Sequence, residues 1–132
     1  MAQSICSRRV KLACQVAAGH PETAQAAALV LREGGNAVDA AVAASLAAFV
    51  AEPLLCSAGG GGMLLAHAGD RAVRCFDFFP DVPGLGGVPE ANRDFQAIDI
   101  DFGVTTQRFH VGRASACAPT VLEGLAAAVR ER

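Results

Sequence analysis

Residues 32–44 read REGGNAVDAAVAA, and the glycines Gly59, Gly60, Gly61 and Gly62 follow at 59–62. This stretch decides the fold. Gly34 and Gly35 can adopt the left-handed conformation that closes a helix after Arg32, and Asn36 can cap the next helix, with Asp39 favouring its first turn. The second helix ends at Glu52-Pro53, and the glycine run then enters a strand. Two helices in tandem, a tight turn between them and a strand behind them are therefore written locally.

Working back from this stretch, Pro21 suits a first helical position and Glu22 its positive end. Ala24, Ala27, Ala28 and Leu31 share one face at helical spacing, with Glu22, Gln25 and Arg32 outward. Residues 10–18 read as a short strand before that helix. From Ala40 to Val50 only Ser45 is polar, so the second helix is apolar all round and needs cover nearly all round.

Working forward, residues 63–68 and 71–79 read as a hairpin about Gly69-Asp70. Val73 and Cys75 lie on one face of its second strand and Phe76 and Phe78 on the other, which implies a sheet covered on both sides. Residues 80–94 are rich in glycine and proline and read as a surface loop. Residues 96–102 alternate, with Ile98, Ile100 and Phe102 on one face and Asp99 and Asp101 on the other, as in a strand with one wet face. Another strand is expected within 104–111 and a last helix from Thr120, after Pro119, to Arg132.

Composition excludes several classes. The 132 residues are 52% hydrophobic and 18% charged, enough to bury a core. A net charge of −2 with no extended basic run gives no footprint for nucleic acid. Residues 37–51 form the longest apolar segment and fall short of the roughly 20 residues that span a bilayer. Ser7-Arg8-Arg9 resembles a twin-arginine export signal, but the residues after it are only weakly apolar, so a cytoplasmic location is expected. The 5 cysteines are Cys6, Cys14, Cys56, Cys75 and Cys117, without C-x-x-C spacing, and read as reduced, buried thiols.

The segment GHPETAQAAALVLREGGNAVDAAVAASLAAFVAEPLLCSAGGGGMLL resembles the start of the large subunit in the γ-glutamyltransferase (γ-glutamyltranspeptidase, glutathione hydrolase) family, and FHVGRASACAPTVLEGL continues the likeness. The resemblance implies an α+β fold, part of the N-terminal-nucleophile hydrolase αββα sandwich, with 1–132 a single incomplete domain. It implies acyl transfer from γ-glutamyl or related amides such as glutathione to water or an amine. The family's nucleophile is a threonine opening a small subunit after self-cleavage, where its free amine assists as base. The oxyanion donors lie in that subunit too. The missing C-terminal segment of the large subunit and the small subunit are the partners implied, together with a small γ-glutamyl-type substrate. No nucleic acid, membrane, cofactor or metal is expected.

Within this chain no catalytic residue is expected. Thr105 and Thr106 superficially resemble the nucleophile's surroundings, but cleavage there leaves too short a C-terminal piece, and strand roles are expected for both. Phe79 stands where the family has an arginine that grips the substrate α-carboxylate, and a phenyl ring cannot do this. Arg74, Arg108 and Arg113 are the candidates to replace it; otherwise the acyl group is not glutamyl. Phe79 itself is read as core packing. Gly59, Gly60, Gly61 and Gly62 read as close backbone packing rather than a phosphate cradle, since no Lys-Ser/Thr follows. Cys56 has no neighbour to stabilise a thiolate. Asp99, Asp101 and His110 offer metal-ligand chemistry, but the aspartates belong to a solvated strand face. His20 and His67 are read as structural.

Two alternatives stand beside the enzyme fragment: a non-catalytic truncated homologue serving as a binding or assembly module, and a split amidohydrolase with non-glutamyl specificity. Alone, the chain is expected to be inactive, to expose apolar surface and to self-associate.

Overall fold

A computed structural model describes residues 14–67, 69, 72–82, 87 and 94–131. Helix α1 (Pro21–Arg32) begins with proline in its first turn, where a missing N–H costs nothing. Ahead of it His20 caps the helix, its Nδ1 accepting from the Glu22 N–H at 3.2 Å, which gives this histidine its structural role. The helix stops as Gly34 swings to φ 94°, a conformation costly for any residue with a Cβ. Asn36 then opens α2 (Ala37–Ala51). Its side-chain oxygen accepts from Val38 N–H at 2.8 Å and Asp39 N–H at 3.0 Å, while the Asp39 carboxylate accepts from Asn36 N–H at 3.2 Å. Three backbone donors of the helix start are thus satisfied, those of Asn36 and Asp39 reciprocally.

The short turn folds α2 back along α1. At the open end of the pair, the buried Thr23 hydroxyl donates to Glu52 Oε2 at 3.0 Å. The acid that ends α2 therefore sits at the start of α1, where the helix dipole favours negative charge. Ala27 and Ala40 are the buried alanines of the pair.

Strands β1 (Gly62–Ala66) and β2 (Arg74–Phe78) pair antiparallel, with Gly62 opposite Phe78 and Ala66 opposite Arg74. Strands β3 (Gln96–Asp101) and β4 (Thr106–Val111) form a second antiparallel pair, with Ile98 opposite Phe109. A 3₁₀ turn (Arg113–Ser115) leads on to α3 (Val121–Arg130). Helix α3 packs on β1 and β2 and also touches α2; its Val121, Leu125 and Ala128 are buried. No helix among the described residues is long and apolar enough to cross a membrane.

Several expectations need correction. The strand expected over 10–18 is absent from its described part: residues 14–18 are irregular and exposed, and residues 10–13 lie outside the described residues. The first hairpin forms, shorter than expected, and the centre of its turn at Asp70 also lies outside. Among the described residues, its sheet is covered on one side only. Leu64, Phe76 and Phe78 face α3 and are half-buried, whereas Met63 and Leu65 stay 65% and 73% exposed beside Cys75.

The β3–β4 pair keeps the expected alternation, yet all its residues are exposed, because no α-helix among the described residues packs on either face. Likewise α2, apolar all round, is covered on the sides of α1 and α3 and leaves Val50 83% exposed. The cysteines are free as expected but not buried: Cys14, Cys75 and Cys117 are exposed and Cys56 is half-buried, while Cys6 lies outside the described residues. Cys75 is exposed because it alternates onto the face of β2 that α3 leaves bare. Most of the 80–94 loop falls outside the described residues as well.

Candidate functional site

The chain's distinctive motifs meet at the end of β2. The carbonyl of Gly60 accepts the N–H groups of Thr120 and Val121, at 3.2 and 3.1 Å, and so occupies the N-terminus of α3. A side chain at Gly61 would collide with the Phe78 carbonyl and the Pro80 ring. On the other side Gly124 of α3 lies against the Phe78 ring, where a Cβ has no room. Gly61 is therefore a close-packing position and Gly62 lies near the Phe78 ring, whereas a Cβ at Gly59 or Gly60 would meet only ordinary contacts with Ser57; the helix end behind the run already has its acceptor in the Gly60 carbonyl.

Phe79 emerges from this junction. Its side chain is 66% exposed, so the described residues do not pack it into a core. Strand β2 ends at Phe78, so Phe79 is the first residue beyond the paired strand. The Phe79 N–H donates to Asp77 Oδ1 at 3.0 Å, and the Phe78 carbonyl accepts from Thr120 Oγ1 at 2.6 Å. Close by, the Asp81 carbonyl accepts from the Ala118 N–H at 3.0 Å, tying the strand exit to the segment before α3.

The three candidate arginines are all engaged elsewhere. Arg74 begins β2, at the opposite end from Phe79. It donates to the Glu131 carbonyl and lies 3.7 Å from that residue's carboxylate, which places a cation at the C-terminus of α3 where the dipole favours it. Arg108 makes two hydrogen bonds to Asp99, at 2.8 and 3.1 Å. That fork holds the Asp99 carboxyl below its ordinary range and raises the guanidinium in turn. Arg113 gives its backbone N–H at 3.1 Å and its Nε at 3.2 Å to Asp94. The backbone bond, then the side-chain bond, depress the Asp94 carboxyl. None of these bonds involves Phe79.

The remaining candidates resolve into local structure. Asp101 accepts from the Gly103 N–H at 2.8 Å, and His110 stacks on Phe95 with ring centroids 4.4 Å apart. With Asp99 committed to Arg108, the Asp99, Asp101 and His110 set does not converge, and no metal-ready group of His, Cys, Asp and Glu occurs among the described residues. The Cys56 thiol donates to the Glu52 carbonyl at 3.6 Å. Thr106 opens β4 as expected, whereas Thr105 belongs to the turn, its carbonyl accepting from Phe102 N–H. A cavity of about 590 Å³ lies at the other end of β2, between Asn36, Ala66, Arg74 and Ala128. Of its polar lining, Asn36 caps α2 and Arg74 pairs with Glu131, while His67 stands beside them.

Sequence reasoning missed Asp77, Thr120 and Gly124. Thr120 was visible only as a helix start, and nothing local in its neighbours announces a bond to a residue on a distant strand.

Comparison with known proteins matches residues 23–132 to the gamma-glutamyltranspeptidase family. The glutathione hydrolase proenzyme of Bacillus subtilis (strain 168) is 46% identical over 54 residues, 41% of this chain and 9% of that protein. The acylase ACY 1 proenzyme of Pseudomonas sp. (strain SE83) is 39% identical over 69 residues, 52% of this chain and 12% of that protein. Among solved structures, the gamma-glutamyltranspeptidase of Pseudomonas nitroreducens complexed with L-DON superposes with a TM-score of 0.67 at 28% identity, over 89% of this chain and 33% of its own. The matched region is thus about a third of that solved chain, and a smaller share of the curated relatives.

Proposed function

Because this chain belongs to the gamma-glutamyltranspeptidase family, we propose that it forms the first part of the large-subunit region of an amide acyl-transfer enzyme whose acyl group is not glutamyl. The reaction passes an acyl group from an amide to water or an amine through an acyl-threonine, with the threonine on polypeptide that accompanies this chain. Its free amine serves as the base for its own hydroxyl. The 132 residues by themselves are inactive in this reading.

The bare apolar faces support the need for a companion. Met63, Leu65 and Cys75 on one sheet, and Ile98, Ile100 and Phe109 on the other, lack cover. A second sheet stacked about 10 Å away would complete a sandwich over them. The length of the solved relative, of which the match spans 33%, leaves ample polypeptide for that layer.

The observation that carries the choice of acyl group is the exposed Phe79 ring, with Arg74, Arg108 and Arg113 each paired to a carboxylate of this chain. An apolar ring offers dispersion and burial to an uncharged acyl chain and nothing to a carboxylate. That one matched relative is named an acylase is in keeping with this.

The test is co-expression of the chain with the polypeptide that completes the family fold, followed by anilide release assays. Acyl anilides with aliphatic or aromatic acyl groups are expected to turn over faster than the γ-glutamyl anilide. Preference for the γ-glutamyl compound would overturn the specificity, and a folded complex that cleaves no anilide would overturn the enzyme reading.

A further inference from the structure

We propose that Thr120 and Asp77 are positioning residues that together fix the peptide plane from which the exposed Phe79 ring projects. The inference rests on the reading above only in giving that ring the acyl group to meet.

Threonine at a helix start ordinarily turns its hydroxyl to the backbone N–H groups of its own first turn. Thr120 does not: α3 has no side-chain cap, and Thr120 Oγ1 instead donates to the Phe78 carbonyl at 2.6 Å. The capping task is met by the Gly60 carbonyl, which accepts from both Thr120 and Val121. The hydroxyl is thereby released for a contact across the fold, between residues far apart in the sequence.

That contact gains its meaning from its partner. The Phe78 carbonyl and the Phe79 N–H belong to one peptide unit, and the N–H end is held by Asp77 Oδ1 at 3.0 Å. A planar unit gripped at both its oxygen and its nitrogen cannot rotate about its axis without breaking one bond. On the far side of Phe79 stands Pro80, which confines the residue before it to extended conformations. Phe79 is therefore an exposed side chain on a backbone constrained from both directions. Binding surfaces gain from this arrangement, because a group already oriented loses less freedom when its ligand arrives.

The chain contains no Trp and no Tyr, so Phe79→Trp supplies a single fluorophore at the position of interest. Time-resolved anisotropy then separates local wobble of the indole from tumbling of the whole particle. In the Phe79→Trp background, Thr120→Val and Asp77→Ala are each expected to cause loss of the restricted component, and Thr120→Ser, which keeps the hydroxyl, to retain it. Circular dichroism identifies the folded variants. Should Thr120→Val fail to fold, the Asp77→Ala and Thr120→Ser arms still decide, since Asp77 is exposed and serine preserves the donor. Unchanged indole motion in a folded Thr120→Val or Asp77→Ala protein would overturn the proposal.

A separate arm measures KM and kcat for the preferred acyl anilide in the assembled enzyme, with Thr120→Val against Thr120→Ser. A raised KM rescued by serine supports the positioning role in substrate binding. Freed indole motion with KM and kcat both unmoved would sink the acyl-group reading of Phe79 and leave the positioning of the peptide intact.

Discussion

Replacing Gly124 by alanine tests the junction of α3 and β2 most directly. A Cβ at that position would overlap the Cβ and the near edge of the ring of Phe78, atoms close to the strand backbone with little freedom to yield. Overpacking of this kind costs about 1–3 kcal/mol, and the immobility of the obstacle argues for the upper end. Against it stands the gain of about 1 kcal/mol from removing glycine from a helix interior. The net expectation is a loss of about 2 kcal/mol, or roughly a 30-fold rise in the local opening constant, at 1.4 kcal/mol per tenfold. Hydrogen exchange of the α3 amides reads this quantity locally and does not require the whole chain to unfold reversibly. Protection is expected to fall in α3 and to hold in α1, which α3 does not contact appreciably. If α3 becomes better protected in Gly124→Ala, the helix can shift at no cost, and close approach is not the reason for glycine there.

Asn36→Ala should remove both bonds that its side chain accepts, at a cost of about 1 kcal/mol, and raise exchange at the start of α2 roughly fivefold; unchanged exchange would mean that the reciprocal cap is not stabilising. The purified chain alone should bind a hydrophobic dye and self-associate, since residues such as Leu54 and Val104 are 98% exposed beside the bare sheet faces; a dye-silent monomer in size-exclusion chromatography would contradict the covered-sheet reading. Asp94 and Asp99 have folded-state pKa values below their ordinary 3.8. A depressed folded value makes their contribution fully present above the ordinary value and lost as pH falls through the folded one. Exchange within β3–β4 should therefore quicken only under acid conditions below that range, and Asp99→Asn should abolish its share of the effect; an NMR titration of Asp99 at or above the ordinary value would refute the pairing with Arg108.

The sequence was legible wherever a local rule decided the outcome. Pro21, Gly34 and Asn36 fix helix boundaries through interactions reaching a few residues at most, so α1 and α2 could be placed from the one-dimensional pattern. The alternation of Ile98, Asp99, Ile100 and Asp101 likewise set the register faces of β3. Burial was less legible because periodicity reports which face is apolar, not whether anything covers it. The cysteines and the outer face of β1–β2 were misread for that reason. At the site, the motif comparison singled out Phe79 and the candidate arginines, but could not show that Arg74, Arg108 and Arg113 were each committed to a carboxylate. Thr120 escaped notice because its hydroxyl serves a strand distant in sequence, a choice made by tertiary packing.

The same distinction bears on what family membership means here. The residues through which the chain is recognisable do architectural work: Asn36 and Asp39 start a helix, Glu52 joins two helix ends, Gly60 and Gly61 seat α3 against β2. Each makes its helix-capping, helix-joining or packing contact with partners within the described structure. A match built on such residues carries the fold with it and is indifferent to the acyl group. In the proposed reading specificity resides in what the scaffold presents, and at the exit of β2 it presents a phenyl ring on a pinned peptide. Phe79→Arg separates the two layers. The scaffold bonds are made by neighbouring atoms and should survive the change, while a correctly placed guanidinium would supply a charge-assisted contact of about 1.5–3 kcal/mol, or roughly 10- to 100-fold in kcat/KM toward a γ-glutamyl donor. A gain of that size in the assembled enzyme, with α3 protection unchanged, is the expected outcome; loss of α3 protection would show that the ring belongs to the scaffold after all.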